Sequence, residues 1–146
     1  MADAPTIHAS AVLAGAKAVL IRGPSGSGKS RLAWDLLQST LPFTRLVIDD
    51  RAIVQAHGGR LLVRPAPALA GIIEIHGLGI RRLTYEPVAA VGLVVDLAAE
   101  DANRIPPTSA ETIVISGVVL PRLPIAGGMA ALPMVLAILR SVPAGN

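Results

Sequence analysis

The chain has 146 residues, a net charge of +3 and 52% hydrophobic residues, a composition that predicts one globular domain with a substantial core. Only three residues are aromatic and the thirteen Lys and Arg are scattered, which argues against a nucleic-acid-binding protein because few rings remain to stack on bases. The absence of cysteine excludes disulfides, thiolate metal sites and cysteine nucleophiles.

The apolar segments predict a cytoplasmic protein that acts without a membrane. The first residues do not combine a basic region with an apolar stretch, so we expect no signal peptide. The longest uncharged run, Leu123–Leu139, is interrupted by two prolines and a glycine pair. It is also shorter than the ~20 apolar residues that a membrane-spanning helix needs.

The N-terminal part predicts a β-hairpin, a loop and a helix in that order. The β-like segments Thr6–Leu13 and Ala18–Ile21 are separated by a turn at Gly15. A helix is expected over Lys29–Ser39, because its leucines recur at helical spacing and form one apolar face. Pro42 ends this region.

The rest of the chain predicts mainly strands, with a loop at Pro65–Ala70 and a second helix that starts at or just before Pro133 and ends near Arg140. No internal repeat or second core is visible, so we predict a single domain over residues 1–146. Strands outnumber helices, and the opening hairpin differs from a regular βαβ alternation. The β-like segments are Ile53–Ala56, Arg60–Val63, Gly71–Ile80, Val88–Leu97 and Thr112–Ile115. Arg45–Asp50 is a short apolar run that ends in two carboxylates.

A phosphate-binding motif stands between the second strand and the first helix. Its sequence, GPSGSGKS, is a complete G-x-x-x-x-G-K-[ST] loop in the strand–loop–helix setting that disfavours a chance match in a Gly/Ser-rich turn. Glycines let the backbone amides turn toward one anion, and the helix dipole adds positive potential. Lys29 is expected to reach the β- and γ-phosphates, and Ser30 to hold Mg²⁺. The predicted nucleotide-binding residues are Gly23, Pro24, Ser25, Gly26, Ser27, Gly28, Lys29 and Ser30.

Two segments in which aspartate follows an apolar run compete to complete the site. Asp96 fits either a metal-supporting residue or a turn at the end of a strand. Asp49 and Asp50 are adjacent, and neighbouring strand residues point to opposite faces, so we expect them to have different functions. Near a bound polyphosphate, one carboxylate would activate a hydroxyl and the other would support the metal or a lysine. A solvated turn is the alternative.

The remaining polar candidates are less decisive. Glu74 is flanked by isoleucines, where a carboxylate is costly unless it is paired or bound to metal, although a half-exposed strand explains the pattern equally well. His8 and His57, taken alone, are more typical of structural residues, and the spacing around His76 indicates no function.

Four segments, in order, resemble the C-terminal catalytic domain of HPr kinase/phosphorylase, the bacterial enzyme that phosphorylates a serine of the phosphocarrier protein HPr. They are TIHA at 6–9, GPSGSGKS at 23–30, LVIDDR at 46–51 and EIHGLGI at 74–80. The phosphate loop alone is unspecific, whereas the ordered set with its Asp-Asp pair is specific. The resemblance covers about Thr6–Leu97, and the chain length fits the short form of the family without an N-terminal domain.

The resemblance implies an α/β (α+β-like) fold, a P-loop kinase core with a mostly antiparallel or mixed β-sheet similar to phosphoenolpyruvate carboxykinase. It implies ATP and Mg²⁺ as cofactors, an HPr-type carrier as protein substrate, and a homo-oligomer. The implied roles are an active-site histidine at His8, the loop lysine Lys29, the acid–base pair Asp49 and Asp50, and metal binding by Ser30 and Glu74.

Two departures from the family pattern affect the expected activity. His76 stands where the family has an arginine, and Met129 stands near the position of a second one. Histidine cannot make a bidentate phosphate contact, so the reverse, phosphorylase reaction is the part most in question. We expect a protein serine kinase first and a nucleotide-binding regulatory module without turnover second. A small-molecule kinase ranks third, because its only candidate lid, Arg60–Arg64, is short.

Overall fold

The computed structural model describes residues 5–102, 112–142 and 144. Within them lie ten strands and two α-helices, with a short 3₁₀ turn at Pro67–Leu69. The strands are β1 Thr6–Ala14, β2 Lys17–Arg22, β3 Thr44–Ile48, β4 Arg51–His57, β5 Arg60–Pro65, β6 Ile72–Ile75, β7 Gly79–Arg82, β8 Ala89–Asp96, β9 Thr112–Ile115 and β10 Val118–Pro124; the helices are α1 Lys29–Leu37 and α2 Ala131–Leu139.

Three parallel strands form the part of the main sheet that leads to the phosphate loop. β8 lies between β2 and β10 and is parallel to both. Asp96 at the end of β8 is in register with Arg22 on one side and with Pro124 on the other. The three strands therefore end at one edge of the sheet, and the segments that follow them meet there.

The antiparallel part of the sheet is organised around β1. This strand pairs with β2 on one side and with β3 and β4 on the other. β3 and β4 run in the same direction along β1, so together they behave as one long strand that is interrupted only at Asp49 and Asp50. The interruption places the acidic pair opposite the middle of β1. β5 then joins β4 to the start of β8.

The two faces of the sheet support two hydrophobic cores. Along β2, Leu20 belongs to one core and its neighbours Val19 and Ile21 to the other, as expected from the alternation of side chains in a strand. The second core includes Leu32 and Leu36, the buried face of α1, and α2 packs on it as well. Both helices therefore cover the same face of the sheet.

The observed elements confirm most of the predicted ones, including the start of α2 just before Pro133, and differ at Gly71–Ile80, at β10 and at the end of α1. Gly71–Ile80 is not one strand, because the chain turns at 76–78 and β6 pairs back with β7. β10 has no counterpart in the prediction, since its two prolines weakened the strand pattern. α1 ends at Leu37, and α2 begins at Ala131, two residues before the proline. The mixed, strand-rich α/β architecture is as predicted.

Within the described residues, no helix is long and apolar enough to cross a membrane.

Candidate functional site

The phosphate loop connects the end of β2 to the start of α1. Gly23, Gly26 and Gly28 have φ values of 157°, 81° and 101°, all within the range that favours glycine. At Gly23 a side chain is also excluded by space, because a Cβ there would lie 2.5 Å from Ser27 Oγ and 3.1 Å from Leu97 Cβ. Glycine is therefore required at this position for both conformation and packing.

Two polar groups of the loop have geometry suited to an anion. Lys29 Nζ bends back over the loop and donates to the carbonyl oxygens of Gly23, at 2.9 Å, and Pro24, at 3.2 Å. Ser27 Oγ is the one buried side-chain polar atom without a hydrogen-bond partner in the described part of the chain. A buried hydroxyl without a partner is costly, and a phosphate oxygen would satisfy it.

Asp49 is buried and bonded to the loop's serine. Its side chain is 5% exposed, and Oδ1 accepts hydrogen bonds of 2.7 Å from Ser30 Oγ and from Ser10 Oγ. Its Oδ2 accepts a bond of 3.2 Å from the backbone N–H of Glu74. Three strands and the helix start thus converge on one carboxylate, beside the hydroxyl expected to hold Mg²⁺.

Asp50 has a different environment from its neighbour. Its φ of 81° is unusual for a residue other than glycine, and the N–H of Arg51 bonds to the carbonyl oxygen of Asp49 across it at 3.1 Å. The carbonyl of Asp50 is held by the N–H of Ala9, at 3.1 Å. This tight turn breaks the alternation of the strand, so Asp49 is buried while Asp50 is exposed.

Asp50, Lys29 and Ser30 line a common cavity of about 810 Å³, which we call the transfer cavity. Its wall is completed by Ser25, Trp34, Glu74, His76 and neighbouring residues. Glu74 and His76 come from β6 and the turn after it, and both are exposed. The structure therefore brings together the loop, both exposed carboxylates and His76.

His8 lies beside this group without lining the cavity. It is exposed on β1, in register with Arg51, whose guanidinium is 3.4 Å from His8 Nε2. It thus neighbours the turn that carries Asp50. His57 lies at the exposed end of β4, away from the loop.

Asp96 is held by two arginines. Arg22 makes a bidentate contact with it at 2.8 and 2.9 Å, and Arg122 approaches it at 2.5 Å while also binding Asp101. Partial burial would raise the pKa of Asp96, but the hydrogen bonds and charges of the two arginines outweigh that effect and hold the pKa below its usual value. Of the two alternatives for Asp96, the geometry favours a structural strand-end residue.

The arrangement includes residues that sequence reasoning missed. Ser10 was overlooked, although a serine within an apolar strand is a signal that a buried partner exists. Trp34, the chain's single tryptophan, was assigned only to the helix but also lines the transfer cavity. The network of Arg22, Arg122 and Asp96 joins residues far apart in the chain and had no local signal.

The chain is similar to segments of curated HPr kinase/phosphorylases. It is 42% identical over 62 residues to that of Mycoplasma mycoides subsp. mycoides SC, 38% over 95 residues to that of an Exiguobacterium species, and 40% over 81 residues to that of Streptococcus thermophilus. The resemblance to HPr kinase/phosphorylase is confirmed. These alignments cover 42%, 60% and 55% of this chain but only 19%, 30% and 25% of the relatives, so the chain spans under a third of their length. No protein-family profile matches it.

A solved structure shows the same fold. The Hpr(Ser) kinase/phosphatase from Coxiella burnetii superposes with a TM-score of 0.75 over 93% of both chains, at 23% sequence identity. The fold predicted from the resemblance is confirmed by this match.

Proposed function

We propose that residues 23–30 bind the phosphates of ATP and that Mg²⁺ is held beside them. The buried hydroxyl of Ser27, which has no hydrogen-bond partner, and the ammonium group of Lys29, which lies over the loop, support an anion at this position. Within the described residues, no group of three or more His, Asp or Glu side chains is arranged for a metal. That suits Mg²⁺, which is commonly bound by one or two protein ligands together with phosphate oxygens.

The hydrogen bonds around Ser30 support the proposed metal ligands. Ser30 Oγ would be the direct ligand, and Asp49, whose Oδ1 lies 2.7 Å away, would orient that hydroxyl or bind beside it. Glu74 faces the same cavity and would bind through water or directly. When bound, Mg²⁺ neutralises charge on the β- and γ-phosphates.

We propose further that Asp50 is the general base of a protein serine kinase. The oxygen of a substrate serine forms a bond to the γ-phosphorus of ATP while the bond from that phosphorus to the ADP oxygen breaks. Asp50 accepts the proton that the seryl hydroxyl loses. Lys29 stabilises the charge on the transferred group. Asp50 is exposed in the same cavity as Lys29 and Ser30, so a protein hydroxyl can reach it. His8, in register next to this turn, would assist the substrate or the base.

The different environments of Asp49 and Asp50 are the observation that carries this proposal. The carboxylate of Asp49 is buried and accepts a hydrogen bond from Ser30, whereas the next residue, Asp50, lines the cavity. A solvated turn would leave both exposed, and a structural pair would bury both.

The substrate class rests on the similarity to HPr kinase/phosphorylases. We propose a serine of an HPr-type phosphocarrier as the acceptor, in the cytoplasm, with a homo-oligomer as the assembly. The reverse reaction is expected to be weak, because His76 lines the transfer cavity in place of an arginine.

The test is a phosphotransfer assay with labelled ATP, Mg²⁺ and an HPr-type carrier, beside a Lys29→Ala variant. We expect label on a carrier serine with the unmodified chain and a loss of at least 100-fold in the variant. Nucleotide binding is measured in parallel through the fluorescence of Trp34, which lines the same cavity. No label with intact binding would contradict the kinase.

A regulatory module that binds nucleotide without turnover is the second candidate. Two observations favour it: His76 in the transfer cavity, and Met129, 56% exposed, near the position of the second family arginine. If it is correct, the unmodified chain binds ATP but transfers no label, and His76→Arg alone does not restore transfer.

A further inference from the structure

A second cavity, of about 490 Å³, lies on the other side of the phosphate loop. It is formed at the edge where the three parallel strands end. The segments after β2, β8 and β10 supply its walls, at 26–28, 97–98 and 125–130 respectively, and residues from the N-terminal parts of α1 and α2 complete it. We call it the strand-end cavity.

The three segments are fixed to one another by the backbone. The N–H of Leu97 bonds to the carbonyl oxygen of Arg22 at 2.8 Å, and the N–H of Ile125 bonds to that of Asp96 at 2.8 Å. The N–H of Ala99 then reaches the carbonyl oxygen of Ile125 at 2.9 Å. Crevices outside the carboxyl ends of parallel strands are the common ligand sites of α/β sheets, and this one is held by successive hydrogen bonds.

The strand-end cavity and the transfer cavity share part of the loop. Gly26 and Gly28 of the loop line both cavities, and so do Arg31 and Asp35 of α1. The loop lysine and serine, which bind the terminal phosphates and the metal, line only the transfer cavity. A polyphosphate whose terminal group lies at Lys29 and Asp50 would therefore cross the glycines and point its other end toward the strand-end cavity.

The two cavities differ in chemistry. The transfer cavity contains exposed carboxylates, a lysine and a histidine. In the strand-end cavity the described side chains are mainly aliphatic or absent, as at Leu97, Ile125, Gly127 and Ala130. The polar ones among them are Ser27 and the ion pair Arg31–Asp35 on α1, which the two cavities share. Such walls suit the flat, weakly polar face of a base better than a phosphate or a charged peptide.

We infer that the strand-end cavity takes the nucleoside of the bound nucleotide and discriminates little between adenine and guanine. Among the residues that the structure describes, no asparagine, glutamine or threonine lines it, and the side chains there that can reach the edge of the base are Ser27 and the α1 ion pair. A pocket that lacks side-chain hydrogen bonds to the distinguishing groups rejects an analogue only weakly. This inference rests on the proposed function, because it assumes that the phosphates bind at residues 23–30.

The experiment measures the affinity of the full chain for MgADP, MgGDP and magnesium pyrophosphate by calorimetry. We expect MgADP and MgGDP to bind within fivefold of each other and at least tenfold more tightly than pyrophosphate. Ala126→Phe and Ala130→Phe fill the cavity. Each should lower the affinity for MgADP about tenfold and change the affinity for pyrophosphate by less than twofold. Ala137→Phe, on an exposed position of α2 outside the cavity, is the matched control.

The possible results distinguish a failure of the nucleoside site from a failure of the proposed function. Equal affinities for MgADP and pyrophosphate, or filled variants that bind MgADP normally, would overturn the nucleoside site while leaving the phosphate loop in place. A difference above 50-fold between MgADP and MgGDP would overturn the weak discrimination. If Lys29→Ala binds all three probes as the unmodified chain does, the proposed function itself fails.

Discussion

Two aspartates follow nearly identical apolar runs, LVID at 46–49 and LVVD at 93–96, and the structure gives them opposite partners. Asp49 is bonded to two serine hydroxyls and a backbone amide. Asp96 is bonded to two arginines. A hydroxyl leaves the negative charge of its partner largely available to a cation, whereas guanidinium groups neutralise it. The bonded partner, and not the local sequence pattern, therefore separates an aspartate that can support a metal from one that joins strands.

The largest expected effect concerns the residue next to Asp49. Asp50→Asn removes the proposed base and should lower the rate of phosphotransfer by about 10²–10⁴-fold, the usual contribution of general base catalysis. Nucleotide affinity should change little, since Asp50 does not bind the loop's serine or lysine. Initial rates and calorimetry on one preparation measure both quantities. The exposed Glu100→Gln is the charge-matched control, and transfer that survives Asp50→Asn undiminished would place the base elsewhere.

The next effect is on stability, at the other aspartate. Asp96→Asn leaves two arginines without their shared carboxylate and should lower the free energy of unfolding by about 2 kcal/mol, less than the roughly 3–5 kcal/mol of a fully buried pair. Asp101→Asn, which removes only the exposed partner of Arg122, is the control and should cost much less. Denaturant unfolding at pH 7 measures both, and an equal loss in the two variants would argue against a structural role for Asp96.

The contact of Asp96 with its two arginines also predicts how the free energy of unfolding depends on pH. Because the pKa of Asp96 is lower in the folded chain than in the unfolded one, its contribution is present above the unfolded value of about 3.9 and is lost as the pH falls through the folded value. The stability difference between the unmodified chain and Asp96→Asn should therefore be constant near neutrality and shrink below about pH 4. If the stability difference between the two proteins grew as the pH fell, the predicted direction of the pH dependence would be wrong.

The smallest expected effect concerns the hydrogen bond from Ser10 to Asp49. Ser10→Ala removes one of its hydrogen bonds and should cost about 1–2 kcal/mol of stability, as expected for a buried bond to a carboxylate. It should lower transfer only a few-fold, because Ser30 still holds the carboxylate. Thermal unfolding and initial rates provide the check. The exposed Ser116→Ala serves as control; the prediction fails if both variants behave alike.

The sequence predicted the phosphate loop, the opening hairpin and the first helix because each depends on local chemistry: glycine torsions, turn residues and leucine spacing. It also predicted that Asp49 and Asp50 differ, although the cause in the structure is the tight turn at Asp50 and not the strand alternation from which the difference was expected. Which of them is buried could not be predicted, because this depends on a tight turn at Asp50 and on Ser10, which lies 39 residues away. The arginine partners of Asp96 are likewise set by strand pairing across 74 and 26 residues.

The central claim is that Asp49, and not Asp96, supports the metal that accompanies the nucleotide. Its most direct test is the affinity for ADP with and without Mg²⁺ in the unmodified chain, in Asp49→Asn and in Asp96→Asn. We predict that Mg²⁺ tightens ADP binding in the unmodified chain and in Asp96→Asn, and that Asp49→Asn loses about 10–100-fold of this enhancement, as for other residues that orient metal ligands. Loss of the enhancement in Asp96→Asn, with Asp49→Asn unaffected, would contradict the account.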